Sequence, residues 1–281
     1  MALRIVERPS PNHDARAEGP INILVMHYTG MQTAEEALAR LCDPDAKVSS
    51  HYTVDRDGTI YRHVSEDRRA RHAGVSYWAG VRDVNSRSIG IEIVNPGHEF
   101  GYIPFAEPQI AALIDLSREI LSRHPAIAPS HVVGHSDVAP NRKQDPGELF
   151  PWALLAKFGI GSWPRITPTR SGLRFARAAS TAPQGGGEKE GEAFVSPPPT
   201  RGGRSGAARS DETDRVGGSP PNKSEFAQNL RRYGYGVPPD VDWPLADVIG
   251  AFQRHFRPSC INGVADAECA AILERLVGEL D

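Results

Sequence analysis

The sequence predicts an α/β protein: a mixed central sheet flanked by helices, followed by a small three-helix domain at the C-terminal end. Three observations carry that expectation. Short apolar runs alternate with stretches of helical periodicity, a turn dipeptide sits between two alternating segments, and a Gly/Pro-rich stretch separates this region from a helical tail. With 281 residues and 39% hydrophobic content, the chain can bury one large core or two smaller ones, and a prior of roughly 150 residues per domain favours two.

In chain order, Ile21-Asn-Ile-Leu-Val-Met26 is an apolar, β-branched run too short for a helix and predicts a buried strand. Thr33 heads Ala34–Leu41 with Glu36 placed for a capping box, and Pro44 closes that helix. Tyr52-Thr-Val54 and Thr59-Ile-Tyr61 alternate around Asp57-Gly58, the mark of a β-hairpin, which is why a mixed sheet is expected rather than a purely parallel one. Ser88-Ile-Gly-Ile-Glu-Ile-Val94 is a further strand, ended by Asn95-Pro96-Gly97. Pro108 opens an amphipathic helix with Ile110, Leu113, Ile114, Leu116 and Ile120 on its apolar face and a stop near His124-Pro125. Val132-Val133 is a short strand leading into His135.

From Pro183 to Asn222, 40 residues hold nine glycines and six prolines, the composition of a low-complexity linker. Beyond it, Glu225–Tyr233, Leu245–Phe256 and Ala265–Leu280 carry helical spacing and predict a small bundle. The expected domains are therefore 1–165, a linker over 166–222, and 223–281. The tail is expected to be a tethered module that only raises local concentration, the alternative being a domain that packs against the first and stabilises it.

Lysine plus arginine number 32 against 35 acidic residues, a net charge of −3, which excludes the basic bias of a dedicated nucleic-acid binder. The N-terminus carries charges where a secretory signal needs about 7–15 apolar residues, and no stretch approaches a membrane span. A cytoplasmic monomer is expected, with the cell envelope as the alternative. Three sparse cysteines, Cys42, Cys260 and Cys269, predict reduced thiols.

Two histidines stand at strand ends, where sheets present catalytic groups: His27 after the first apolar run and His135 after Val132-Val133-Gly134. Asp145 follows in a proline-stiffened loop. Two imidazoles and a carboxylate make a catalytic zinc set, leaving a fourth position for a water whose pKa the metal lowers to about 7. A plainer account has His27 buried and hydrogen-bonded, His135 in a turn and Asp145 as an Asx turn before proline. Spacing alone does not choose between them.

Six blocks, in order, resemble the zinc-dependent N-acetylmuramoyl-L-alanine amidases of type 2, most closely the AmiD and AmpD group. They are Met26-His27-Tyr-Thr29, Val48-Ser-Ser-His51-Tyr52, His72-Ala-Gly-Val-Ser76, Ser88-Ile-Gly-Ile-Glu92, Gly134-His135-Ser-Asp-Val-Ala-Pro140 and Arg142-Lys-Gln-Asp145-Pro-Gly147. The tail is similar to that group's peptidoglycan-binding-like module through Arg232-Tyr-Gly-Tyr235 and Ala251-Phe-Gln-Arg-His-Phe-Arg-Pro258. The resemblance implies the fold of peptidoglycan recognition proteins and amidases, one Zn2+ per chain on His27, His135 and Asp145, and a peptidoglycan or muropeptide substrate. The implied reaction is hydrolysis of the amide between N-acetylmuramic acid, or its 1,6-anhydro form, and L-alanine of the stem peptide.

The catalytic pair implied is Glu92 and Lys143. A carboxylate at the end of an apolar strand is costly to bury unless something engages it, which suits a general base. Lys143, two residues before a ligand, is close enough to stabilise an oxyanion. Candidate substrate contacts are His51, Arg71, His72 and Arg87. Position 71 is commonly tryptophan in this group, and arginine there offers a charge for a substrate carboxylate in place of a stacking surface. The alternatives are non-catalytic peptidoglycan binding, against which the complete ligand and catalytic set argues, and a zinc peptidase, which only product analysis separates.

Overall fold

In the computed structural model, which describes residues 3–164 and 221–280, a six-stranded mixed sheet organises the first part of the chain. Its strands are β1 (Ile5–Glu7), β3 (Ile23–Tyr28), β4 (Tyr52–Val54), β5 (Ile60–Arg62), β7 (Ser88–Ile93) and β8 (Val132–Gly134), in the order β1-β5-β4-β7-β3-β8. Only β4 and β5, the expected hairpin, run antiparallel; the other neighbours are parallel. A separate ribbon pairs β2 (His13–Ala15) with β6 (Arg68–Ala70). Neither ribbon strand was expected, because three-residue polar segments carry no alternation and are held by pairing alone.

The helices are α1 (Ala34–Cys42), α2 (Val84–Arg87), α3 (Gly97–Phe100), α4 (Glu107–Arg123), α5 (His135–Val138), α6 (Trp152–Lys157), α7 (Lys223–Tyr233), α8 (Leu245–Phe256) and α9 (Ala267–Gly278). At the start of α1 the Thr33 hydroxyl accepts from the Glu36 amide while Glu36 accepts from the Thr33 amide, both at 3.2 Å, the reciprocal cap expected. α4 buries Ile110, Leu113, Ile114, Leu116 and Ile120 against one sheet face.

Strand alternation divides the molecule into two layers. On β3, Leu24 and Met26 join Ile89, Ile91, Ile93 and the α4 side chains in one core, whereas Ile23 and Val25 turn to the other face. His27 continues the second series. Its register partner on parallel β7 is Glu92, while Ser88 and Gly90 lie opposite Ile23 and Val25, so all three β7 residues share the His27 face. β3 runs two residues further than the apolar run suggested, which makes His27 part of the strand.

That second face is covered by the tail. Ile23, Val25, Tyr77, Trp78, Val84 and Val138 form one apolar cluster with residues of α7–α9, among them Leu230, Phe252 and Leu273, all fully buried. The described residues on both sides of residues 165–218 belong to one compact unit. The tethered module is thus replaced by a packed one, because separating the parts would expose both halves of a shared core. Most of the expected linker, 166–220, lies outside the described residues. Among the described residues no helix is long and apolar enough to cross a membrane.

Candidate metal centre and catalytic cleft

At the C-terminal ends of β3, β7 and β8 opens a cleft of about 650 Å3 whose wall includes Tyr28, Arg71, His72, Glu92, His135, Lys143 and Asp145. At its floor, His27 Nδ1 and His135 Nδ1 are 3.0 Å apart, and each is 3.0 Å from Asp145 Oδ2. All three side chains are buried. β3 delivers His27, α5 delivers His135 immediately after β8, and the loop following α5 returns Asp145 beneath them.

Proton positions follow from the far ends of the imidazoles. His135 Nε2 lies 3.1 Å from the Ala73 carbonyl oxygen, which can only accept, so Nε2 carries a proton and Nδ1, in the neutral form that metal binding requires, offers its lone pair. Ser88 Oγ donates to the Val84 carbonyl at 2.6 Å and therefore accepts from His72 Nε2–H at 3.2 Å. Burial foremost, then the neighbouring imidazoles, hold His72 far below the usual histidine range, so its other nitrogen is unprotonated. His27 Nε2–H accordingly donates to His72 Nδ1 at 3.0 Å, and His27 Nδ1 is bare too. Burial, with His135 beside it, pushes the His27 pKa down to about 4.

Two imidazole lone pairs and a carboxylate oxygen thus converge at 3.0 Å, an arrangement that repels unless a cation lies among them. The donor set fits zinc: nitrogen and oxygen ligands at about 2.0–2.1 Å in tetrahedral directions stand about 3.3 Å apart, and ligand histidines ordinarily donate their other N–H to a carbonyl or similar acceptor.

Glu92 lines the cleft with Oε2 shielded from solvent and without a hydrogen-bond partner among the described residues. Burial, followed by the Asp145 charge, pushes its pKa well above the ordinary carboxylate value, and the Lys143 ammonium works in the opposite sense.

The N-acetylmuramoyl-L-alanine amidase family profile matches residues 17–148. AmiD of Escherichia coli (strain K12) is 36% identical over 292 residues, covering 97% of this chain and 90% of AmiD. The chain belongs to the N-acetylmuramoyl-L-alanine amidase family. The solved complex of E. coli AmiD with anhydro-N-acetylmuramic acid-L-Ala-D-gamma-Glu-L-Lys matches this amidase with a TM-score of 0.67, covering 95% of this chain and 92% of that one. AmpDh3 from Pseudomonas aeruginosa in complex with anhydromuramic pentapeptide matches at 31% identity and a TM-score of 0.68, over 94% of this chain and 96% of that one. AmpD from Enterobacter cloacae is 36% identical over 163 residues, 52% of this chain and 84% of AmpD.

The candidate substrate contacts of the amidase divide. Arg71 reaches the cleft wall, but its guanidinium is engaged by Asp14, Nε to Oδ2 at 3.0 Å and Nη2 to Oδ1 at 2.8 Å, so it is not a free charge awaiting a substrate carboxylate. His72 also reaches the wall while both its nitrogens are occupied. His51 is 0% exposed, accepting from the Gly90 amide at 2.9 Å, and so cannot touch a substrate. Arg87 lies off the cleft wall and donates to the Pro20 carbonyl at 2.6 Å.

Sequence reasoning missed the Ala73 carbonyl, Ser88 and Gly90. A Cβ on Gly90 would stand 2.4 Å from His72 Cγ, so glycine there makes room for the imidazole. An isolated glycine inside a strand signals such a close approach. It also missed His98, whose Nε2–H donates to Glu148 at 3.0 Å while its Nδ1 accepts from the Tyr28 hydroxyl at 3.0 Å on the cleft rim.

Proposed function

We propose that this amidase hydrolyses the amide between N-acetylmuramic acid, intact or in its 1,6-anhydro form, and the L-alanine of the peptidoglycan stem peptide, with one zinc ion per chain held by His27, His135 and Asp145. The observation that carries this is the convergence of two bare imidazole nitrogens on one carboxylate oxygen. The muramyl-peptide complexes of AmiD and AmpDh3 support the substrate class.

Zinc bound there supplies a Lewis acid that polarises the scissile carbonyl and acidifies a water. Glu92, its pKa raised by burial, is a stronger proton acceptor than an ordinary carboxylate; it takes the proton of the attacking water and returns it to the departing alanine nitrogen. Lys143, on the same wall, faces the negative charge that grows on the carbonyl oxygen. The Ala73 carbonyl and the His72–Ser88–Val84 series hold both imidazoles by their Nε2–H groups, with Nδ1 turned toward Asp145.

The test is mass spectrometry of the products from anhydro-muropeptides and intact muropeptides, paired with elemental analysis of the protein. The expected result is a free stem peptide beginning with L-alanine, a muramyl product, and one zinc per chain. Cleavage within the stem would make the protein a zinc peptidase, and active protein devoid of zinc would remove the metal from the reaction.

A further inference from the structure

The Asp137 carboxylate is 0% exposed and lies two residues from His135. Its Oδ2 accepts from the Gly134 amide at 2.7 Å, which closes the N-terminal end of α5. Its other donors come from the tail. The Tyr235 hydroxyl donates to Oδ1 at 2.7 Å, and His255 Nδ1–H donates to Oδ2 at 2.7 Å. The His255 ring is sandwiched between Trp152 and Phe256, with centroids at 3.8 and 3.9 Å, which leaves it little freedom to turn away.

The tail also supports the opposite end of the same imidazole. His135 Nε2–H rests on the Ala73 carbonyl, and the segment that follows Ala73 is pinned at Trp78, which packs edge-on against Tyr235 at 4.9 Å and abuts Gly234. A Cβ on Gly234 would fall 2.8 Å from the indole, and the Ala79 amide donates to the Gly234 carbonyl at 2.8 Å. The Tyr77 amide donates to the Val138 carbonyl at 2.9 Å and joins the segment to α5. A four-residue helix has almost no stability of its own, so the position of α5 is set by what grips it.

We infer that the C-terminal helices are part of the metal centre's framework: Tyr235 and His255, acting through Asp137, are positioning residues that hold the α5 turn so that His135 presents Nδ1 to His27 and Asp145. This rests on His135 being a zinc ligand, as proposed above. It assigns the tail a task within the reaction besides any hold on polymeric wall, and it accounts for a buried carboxylate whose donors come from both parts of the chain.

The test uses the full chain carrying Tyr235→Phe, His255→Phe or both, with Leu273→Ala as a comparison that loosens the tail's core without removing a hydrogen bond to Asp137. Zinc affinity is read by competition with a chromophoric chelator, ligand geometry by the absorption spectrum of the cobalt(II)-substituted protein, and folding by the melting temperature of the metal-free form. Tyr235→Phe and His255→Phe are expected to weaken zinc retention by roughly 10-fold or more, as loss of outer supports does at metal sites, and to alter the cobalt spectrum. Leu273→Ala is expected to lower the melting temperature and leave both metal readouts alone. Should the double variant fail to fold, Tyr235→Phe alone, which deletes one oxygen, decides. Zinc affinity within twofold of the parent in that variant overturns the inference, and so does an equal loss of affinity in Leu273→Ala at matched stability. Failure of the parent itself to bind zinc would instead refute the ligand assignment.

Discussion

Replacing Gly90 by alanine tests the proton order of the metal centre without touching any ligand. The added Cβ would stand 2.4–2.6 Å from three ring atoms of His72, against about 3.4 Å for an ordinary contact, so the imidazole must recede by about 1 Å. β7 cannot yield instead, because it is paired on both sides, with β3 and β4. The His27–His72 bond is 3.0 Å and the His72–Ser88 bond 3.2 Å, and a 1 Å shift carries at least one of them past the limit of about 3.5 Å. His27 then keeps a buried N–H with no acceptor, or turns its proton toward the ligand side. Loss of such an outer partner weakens metal binding by about 10–100-fold, or roughly 1.4–2.8 kcal/mol. Chelator competition at neutral pH on the metal-free protein measures it, with Ser88→Ala as a milder companion that removes the acceptor from His72. Gly90→Ala protein that binds zinc as tightly as the parent would falsify the proposed proton order.

Glu92→Gln and Lys143→Ala are expected to retain stoichiometric zinc while losing at least about 100-fold in turnover, whereas His135→Ala loses both; zinc missing from the Gln variant would make Glu92 a ligand or a structural group. Because Lys143 holds the Glu92 pKa down against burial and Asp145, Lys143→Ala should move the acidic limb of residual kcat/KM to higher pH, and a limb that stays put removes Glu92 as the titrating base. Burial pushes the His63 pKa down to about 4, while the unfolded chain titrates near 6.5. The unfolded state therefore takes up protons first on acidification, and stability that is complete above pH 6.5 declines as pH falls toward 4, by up to about 3 kcal/mol for this residue. Urea midpoints over that range measure it, and His63→Gln should flatten the slope; an unchanged slope assigns the acid loss to other groups.

The features legible in the sequence were those with local periodicity or local chemistry. Thr33 and Glu36 announce α1, Asp57-Gly58 announces the hairpin, and the apolar runs before His27 and His135 place both imidazoles at neighbouring strand ends. Asp145 was legible only as one member of a candidate set with His27 and His135, and the family resemblance was needed to prefer a zinc ligand over an Asx turn, because nothing in its loop says which strand it will meet. The supports of the site were invisible for a different reason. Tyr235 and His255 reach Asp137 across 98 and 118 residues, and α5 is too short to show a period. β2 and β6 are strands only because each finds the other. His51 and Arg87 misled because a motif neighbourhood fixes sequence proximity to the site and not which way a side chain leaves the backbone.

The face of the sheet that bears the site explains why the tail is packed against it. Alternation along β3 and β7 assigns Leu24, Met26, Ile89, Ile91 and Ile93 to the α4 side, and on the other side it puts Ser88, Gly90, Glu92 and His27 in adjacent rows beside the apolar Ile23 and Val25. The polar part of that face, toward the strand ends, cannot be sealed by apolar packing alone, since each buried donor or acceptor left unpaired costs about 1–3 kcal/mol. It has to be covered by groups that complete its hydrogen bonds, which the segment from His72 to Trp78 does through the His72 ring and the Ala73 carbonyl. The outer side of that segment is apolar, with Tyr77 and Trp78 largely or wholly buried, and needs a cover of its own. α7–α9 provide it, and the same surface reaches past the segment to Asp137. Burying a polar metal site within so small a sheet thus calls for two successive layers above it, and the tail is the second.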